Sequence, residues 1–402
     1  MSNSQRRRNY TGPALFSFGF RPFFLLSALW AGLAMVLWVL MLAGIAHPPI
    51  RFDPFSWHAH EFLFGYLGAV IAGFLLTAVP NWTGRLPVLG LPLVGLVGLW
   101  LLGRVAVGFS GLLDWRLVLL ADLSHILALL ALLGREIIHG KNWRNLPVLA
   151  LLGVFALANG LFHWQAAQGQ AAYQGSGLRL GLAAVLLMIA LIGGRIIPSF
   201  TRNWLAARRA ERLPVPFGPA DRAVMGLSVV TLAAFVILPQ AWVTAVLMLI
   251  CGAAHLWRLS RWQGLQTGSE PLLWVLHLAY GMLAVGFWAE AASIAGLAQP
   301  ASLRHVWLAG AIGLITLAVM SRASLGHSGR PLTAGPGTRL VYLALLASTV
   351  ARLLAAIPAL RDPMLHLSGG LWALAFLGFA VIYLPALAGP KLAAKKASGR
   401  AG

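Results

Sequence analysis

Long apolar runs recur along the whole chain, and between them lie short stretches where Pro, Gly and charged residues gather. A helix that crosses a bilayer needs roughly 20 mostly apolar residues. Runs of that length predict spans near 23–46, 58–80, 88–109, 117–138, 146–165 and 178–198, then near 222–238, 241–257, 271–295, 303–322, 338–360 and 366–388. The pairs 88–109/117–138 and 222–238/241–257 have short connections, and no stretch suits a soluble domain. The pattern predicts an all-α fold, a polytopic integral membrane helical bundle of about 12 transmembrane helices.

The polar breaks carry the orientation. With the N-terminus inside, the inner side holds 23 of the 30 basic residues, among them Arg6–Arg8, Arg85, Arg144, Arg208, Arg209 and Lys391. Arg51, Arg104, Arg116, Arg179, Arg304, Arg352 and Arg361 fall outside. Positive charge favours the cytoplasmic side, and dropping one span would invert the rule for every later loop. Both termini are therefore expected in the cytoplasm. The expected organisation is a basic N-terminus over 1–22, a membrane domain over 23–388, and a basic, lipid-facing tail over 389–402. The longest inner connection, 199–221, divides the membrane domain into six plus six helices, with no convincing internal repeat. Arg6–Arg8 ahead of an apolar run resemble a signal peptide, but the run is longer than the roughly 7–15 residues of such a segment, so an uncleaved first span is expected.

Composition agrees: of 402 residues, 59% are hydrophobic and 10% charged, with mean hydropathy +0.80. A soluble surface needs roughly a quarter of its residues charged. The net charge of +20 punctuates apolar segments rather than forming a basic face, which argues against a nucleic-acid partner and for membrane lipids. The lone Cys251 excludes an intrachain disulfide, a thiolate zinc cage, an iron–sulfur cluster and covalent haem attachment. Any metal must be held mainly by nitrogen or oxygen.

Candidate chemistry comes from the few polar groups inside the spans. Glu61, Asp122 and Glu290 are carboxylates at membrane depth, each either a functional group or a structural partner of a nearby Arg or Trp. Asp122 and His125 share a helix face, as a carboxylate orienting a metal-bound imidazole or as an ordinary buried hydrogen bond. Of the 11 histidines, ten sort into two layers, with His47, His58, His60, His163, His305 and His366 toward the outer face and His139, His255, His277 and His327 toward the inner one, while His125 lies near the middle. In Trp57-His58-Ala59-His60-Glu61 the imidazoles point about 200° apart on a helix. They serve different sites, or meet at one metal if the entry is non-helical. His277 lies in its span with Trp274, Tyr280 and Gly281 on its face, as a haem ligand or a hydrogen-bonded core residue. Arg195, ahead of Pro198, and Arg322, in a Gly- and Ser-rich stretch, can anchor an anion such as a haem propionate or simply mark the inner interface.

At these motifs the chain resembles the NnrS family of membrane proteins. The resemblance is carried by Gly19-Phe20-Arg21-Pro22-Phe23-Phe24, by Trp57–Glu61 continuing through Gly73–Gly84, and by Gly193–Thr201. Pro271–Tyr280, then His305 with Val319–Arg330, complete it. It implies twelve spans, haem b, copper and a role in nitric oxide metabolism, denitrification or resistance to nitrosative stress, in the bacterial cytoplasmic (inner) membrane. On the matching positions the metal candidates are His58, His60 and His305 outside, and His277 and His327 inside. Arg195, Arg322, Tyr280 and Trp274 are the candidate cofactor contacts. Glu61, Asp122, His125 and Glu290 are supporting or proton-path groups. The partners so implied are nitric oxide or a related nitrogen species and an electron donor, with a redox activity left open.

Two other classes compete. Haem–copper oxidases also have about twelve spans, but the chain has neither an adjacent His-His pair nor a His-Pro-Glu motif. A secondary transporter for copper or a small nitrogen compound would suit the six-plus-six layout, yet leaves two layers of imidazole unexplained.

Overall fold

The computed structural model describes residues 10–85, 87–297 and 300–392. Arg6–Arg8 and the tail residues Lys395, Lys396 and Arg400, which the charge reading used, lie outside the described residues. Twelve helices are each long and apolar enough to cross a membrane: α1 Phe20–Leu42, α2 Pro54–Thr83, α3 Leu91–Gly108, α4 Trp115–His139, α5 Trp143–Ala167 and α6 Ser176–Ala206, then α7 Pro219–Ile237, α8 Trp242–Ser260, α9 Pro271–Ile294, α10 Ala301–His327, α11 Pro336–Leu354 and α12 Pro358–Leu387. No strand occurs among the described residues. The chain is a multi-pass, all-helical membrane protein, as the apolar periodicity predicts.

The boundaries move most at α6. The sequence places its end at 198, whereas the helix runs through Pro198 to Ala206. Proline forfeits one backbone bond, but neighbouring helices and local adjustment make that tolerable in a membrane helix. The connection to α7 therefore shrinks to 207–218.

Helices adjacent in sequence pack as hairpins: α3 on α4, α5 on α6, α8 on α9 and α11 on α12. The last helix returns to the first, so the bundle closes on itself. Arg21 fastens this closure, donating from Nη1 to the carbonyls of Leu387 at 3.1 Å and Gly389 at 2.6 Å. A guanidinium there meets the unsatisfied carbonyls at the C-terminus of α12. Trp372 of α12 adds a bond from Nε1 to the Ala31 carbonyl, 3.1 Å.

The most buried spans are α2, α10, α6 and α9. Two of these contain π-helical turns, Glu61–Tyr66 in α2 and Val306–Gly313 in α10. A π turn widens the i→i+4 ladder by one residue and re-aims the side chains beside it. Carbonyls displaced from the ladder find other donors: Trp100 Nε1 takes that of Gly65 at 3.0 Å. The two modified helices meet where Tyr66 and Thr316 share a hydrogen bond of 2.5 Å.

Candidate metal centre

The entry to α2 fixes the first two imidazoles. Asp53 caps the helix, accepting from the amides of Phe55 and Ser56 at 3.0 Å each, and Pro54 occupies the first turn. His58 and His60 follow in regular helix, and the π turn begins at Glu61. The two rings therefore leave α2 on different sides and join different groups.

His60 enters a fully buried polar cluster built from four other helices as well. Its Nδ1 lies 3.0 Å from Glu61 Oε1, and its Nε2 lies 3.0 Å from Asn159 Oδ1 and 3.1 Å from Asp122 Oδ2. His163 Nε2 approaches the same Asp122 oxygen at 3.1 Å, and Asn159 Nδ2 donates to it at 2.7 Å. Arg104 of α3 bridges the carboxylates, with Nη1 on Glu61 and Nη2 on Asp122. Trp30 of α1 donates from Nε1 to the other Glu61 oxygen, 2.7 Å. Close backbone approach makes room for the guanidinium: a Cβ on Gly65 would strike Arg104 and Glu61, and one on Gly103 would lie 3.0 Å from Asp122. Phe52 closes the cluster, its ring centroid 5.1 Å from that of His60 and 5.3 Å from that of His163.

Two carboxylates face one guanidinium here, which leaves one negative charge for a cation or an imidazolium to match. His60 Nε2, Asp122 Oδ2 and His163 Nε2 suit a metal ion, since all three lie within 4.8 Å of one another. Metal–ligand bonds of about 2.0–2.2 Å place neighbouring ligand atoms about 3.0–3.4 Å apart, and the observed His–Asp separations are 3.1 Å. With Nδ1–H donated to Glu61, His60 presents its Nε2 lone pair, the usual support for a metal-bound imidazole. Two imidazoles and a carboxylate suit copper, zinc or ferrous iron.

The other sequence candidates are distributed as follows. His58 stacks on Trp38 at 4.6 Å and meets Phe62 at 4.6 Å. His305 donates from Nδ1 to the Ala301 carbonyl, 2.6 Å. Both lie at the same end of the bundle as His60 but outside its hydrogen-bonded cluster. His277 contacts Thr201 at 2.8 Å through Nε2, while His327 packs on Phe18 and Phe20 at 5.3 and 5.6 Å. Tyr280 serves a different imidazole from the one on its own helix. Its hydroxyl lies 2.8 Å from His255 Nδ1 and accepts from Arg258, which also pairs with Asp221. Trp274 is a partly buried packing residue. Arg195 donates to Asn145 at 3.1 Å, and Arg322 lies over the Phe200 ring at 4.3 Å. Glu290 forms a two-pronged pair with Arg304, 2.6 and 3.1 Å. Asp122 turns to His60 and His163 rather than to His125, whose Nδ1 meets the Leu96 carbonyl at 3.2 Å.

Arg104, Asn159, His163 and Trp30 are members of the cluster that the motifs do not single out. Asn159 and His163 are four apart in an otherwise apolar span, so they share a face, and that spacing is the signal available in the sequence.

Comparison with curated proteins finds no match. A family model described as NnrS protein matches residues 14–391, which takes in all twelve helices. By that match the chain belongs to the NnrS protein family.

Proposed function

We propose that this protein binds copper and haem in the bacterial cytoplasmic membrane, with both termini inside, and acts in nitric oxide metabolism or resistance to nitrosative stress. One observation supports the copper part: a buried His–Asp–His trio whose donor atoms all lie within 4.8 Å of one another, both imidazoles 3.1 Å from the shared Asp122 oxygen. Copper held by these residues would supply a centre that binds nitric oxide and changes oxidation state by one electron. The protein's own groups set the conditions for it. Glu61 fixes the ring of His60, and Asn159 and Arg104 hold the two oxygens of Asp122. Arg104 also limits the uncompensated charge in a low-dielectric interior, where an unpaired carboxylate is costly. Phe52 and Phe162 keep water from the rings. Apolar nitric oxide partitions into the bilayer, so a buried centre is accessible to it without an aqueous path.

Metal analysis of the detergent-purified chain tests this reading. Copper bound by the wild type and lost from His163→Ala and Asp122→Asn, both still monodisperse, is the expected result. Copper retained by both variants would assign the metal elsewhere. A well-folded wild type that binds neither copper nor haem but moves a solute in vesicles would replace this reading with the transporter.

A further inference from the structure

Charge is balanced unevenly over the end of the bundle expected to face the cytoplasm. Where α2 and α4 end, basic side chains have an acid to meet: Arg85 and Arg135 both pair with Glu136. Where α6 and α8 end and α7 begins, the buried acid is already engaged. Asp221, in the first turn of α7, accepts from Arg258 Nε at 2.8 Å, from Arg261 Nη1 at 3.5 Å and from the Gly218 amide at 2.9 Å. The connection from α6 to α7 then carries Arg208, Arg209 and Arg212, all exposed, against the single carboxylate of Glu211. None of the three arginines forms an ion pair among the described residues.

This basic turn is held in place. The Val215 amide donates to the Arg261 carbonyl at 3.1 Å, and Arg202 Nη1 to the Pro214 carbonyl at 3.5 Å. Helix α6 closes with two bonds, from the Ala210 amide to the Leu205 carbonyl at 3.1 Å and from the Arg209 amide to the Ala206 carbonyl at 3.0 Å. Arg209 consequently stands at φ +55°, in the left-handed closing position that glycine usually fills. The bias of positive charge toward this side gives the arginines their sign, but it does not require one in left-handed backbone. Two tryptophans support the basic groups: the Arg208 guanidinium lies 3.7 Å over the Trp204 ring, and that of Arg261 lies 4.7 Å over Trp257.

Apolar side chains adjoin the charge. Val215, Phe217 and Trp257 are exposed at the same helix ends, and indole rings there sit at the level of lipid headgroups. A soluble acidic partner would match the guanidinium groups alone. A phospholipid matches both features, its phosphate meeting the arginines and its glycerol and upper chains meeting the rings. We propose that Arg208, Arg209 and Arg212, with Trp204 and Trp257, form a site for the headgroup of an anionic phospholipid at the shared end of α6, α7 and α8. Arg209 gives up the easier backbone of glycine and adds a guanidinium to that site.

The test is lipid binding by the purified full-length protein in neutral detergent, read by native mass spectrometry and by the unfolding temperature as phosphatidylglycerol is added. Wild type is expected to retain phosphatidylglycerol in preference to phosphatidylcholine and to unfold at a higher temperature with it, an effect that salt weakens. Arg208→Gln/Arg209→Gln/Arg212→Gln should weaken this binding about 100-fold. Lys141→Gln/Arg144→Gln/Arg339→Gln, which removes the same charge from the same end, should leave it unchanged. Arg209→Gly separates lipid binding from folding, because glycine suits the left-handed turn. It should keep or raise the lipid-free unfolding temperature, yet weaken phosphatidylglycerol binding about fivefold. Wild-type binding in the first triple variant or in Arg209→Gly, or an equal loss in the second triple variant, would overturn the proposal. Stabilisation by inorganic phosphate equal to that by the lipid would also overturn it, by assigning the turn to a free ion.

Discussion

Arg104 is the residue on which the buried His–Asp–His cluster turns, because its guanidinium bridges Glu61 and Asp122. Removing one partner of a buried ion pair strands the other, at a cost of about 3–5 kcal/mol. Arg104→Met should therefore lower stability by about that amount, seen as a reduced unfolding temperature in detergent, and an unchanged temperature would show the carboxylates to be solvated. Glu61→Gln keeps the shape but weakens the acceptor that orients His60. It should reduce copper affinity by about 10–100-fold, measured by competition with a chelator, with the fold intact. At this scale the sequence was legible in part. The two-residue spacing of His58 and His60 already admitted different sites, because such residues point about 200° apart on a helix. The partners of Asp122 were not legible. Its neighbour His125 is close in sequence, but His60 and His163 come from other helices, and nothing local encodes which helices meet.

The element that most shapes the cluster is the π turn Glu61–Tyr66. Such a turn accommodates one extra residue locally and leaves the flanking faces close to their original directions. Deleting Phe62 should accordingly preserve helical content and monodispersity while disturbing Glu61 and the Gly65–Trp100 bond, so copper affinity falls. Deleting Ile71, in regular helix, rotates everything beyond it by about 100° and should prevent folding. Circular dichroism and metal titration of the two deletions distinguish them, and equal damage from both would argue against a locally absorbed residue. The π turns were invisible in the sequence, since Glu-Phe-Leu-Phe-Gly-Tyr continues the apolar run around it and its one glycine does not stand out from Gly68 and Gly73 in the same span. The span limits were legible from Pro, Gly and charge, except where Pro198 lies inside α6 rather than ending it.

For the whole molecule, number and order separate. The count of twelve followed from apolar length, whereas the packing of α12 on α1 follows from contacts such as Arg21 with the end of α12. The expected orientation is open to a direct measurement. In a Cys251→Ser background, Gln170→Cys between α5 and α6 should react with an impermeant maleimide added outside spheroplasts. Ser269→Cys between α8 and α9 should react only after lysis, and the reverse pattern would invert the assignment. Both positions are exposed, and the native thiol is buried.

The charged cluster also bears on how the chain enters the bilayer. Glu61 reaches the lipid on α2, but its neutralising arginine arrives on the next helix, and Asp122 and His163 come later still. Arg104 and Asp122 are 18 residues apart on the two arms of the α3–α4 hairpin, so these arms can leave the insertion machinery as a neutral pair. Within its own hairpin with α1, the second helix offers Glu61 the His60 imidazole and the indole of Trp30 but no guanidinium. Retaining α2 in a hydrated, protein-lined environment until α3 has been synthesised would let Glu61 meet Arg104 before it faces lipid as a carboxylate, which favours integrating the first four helices together over inserting them one by one.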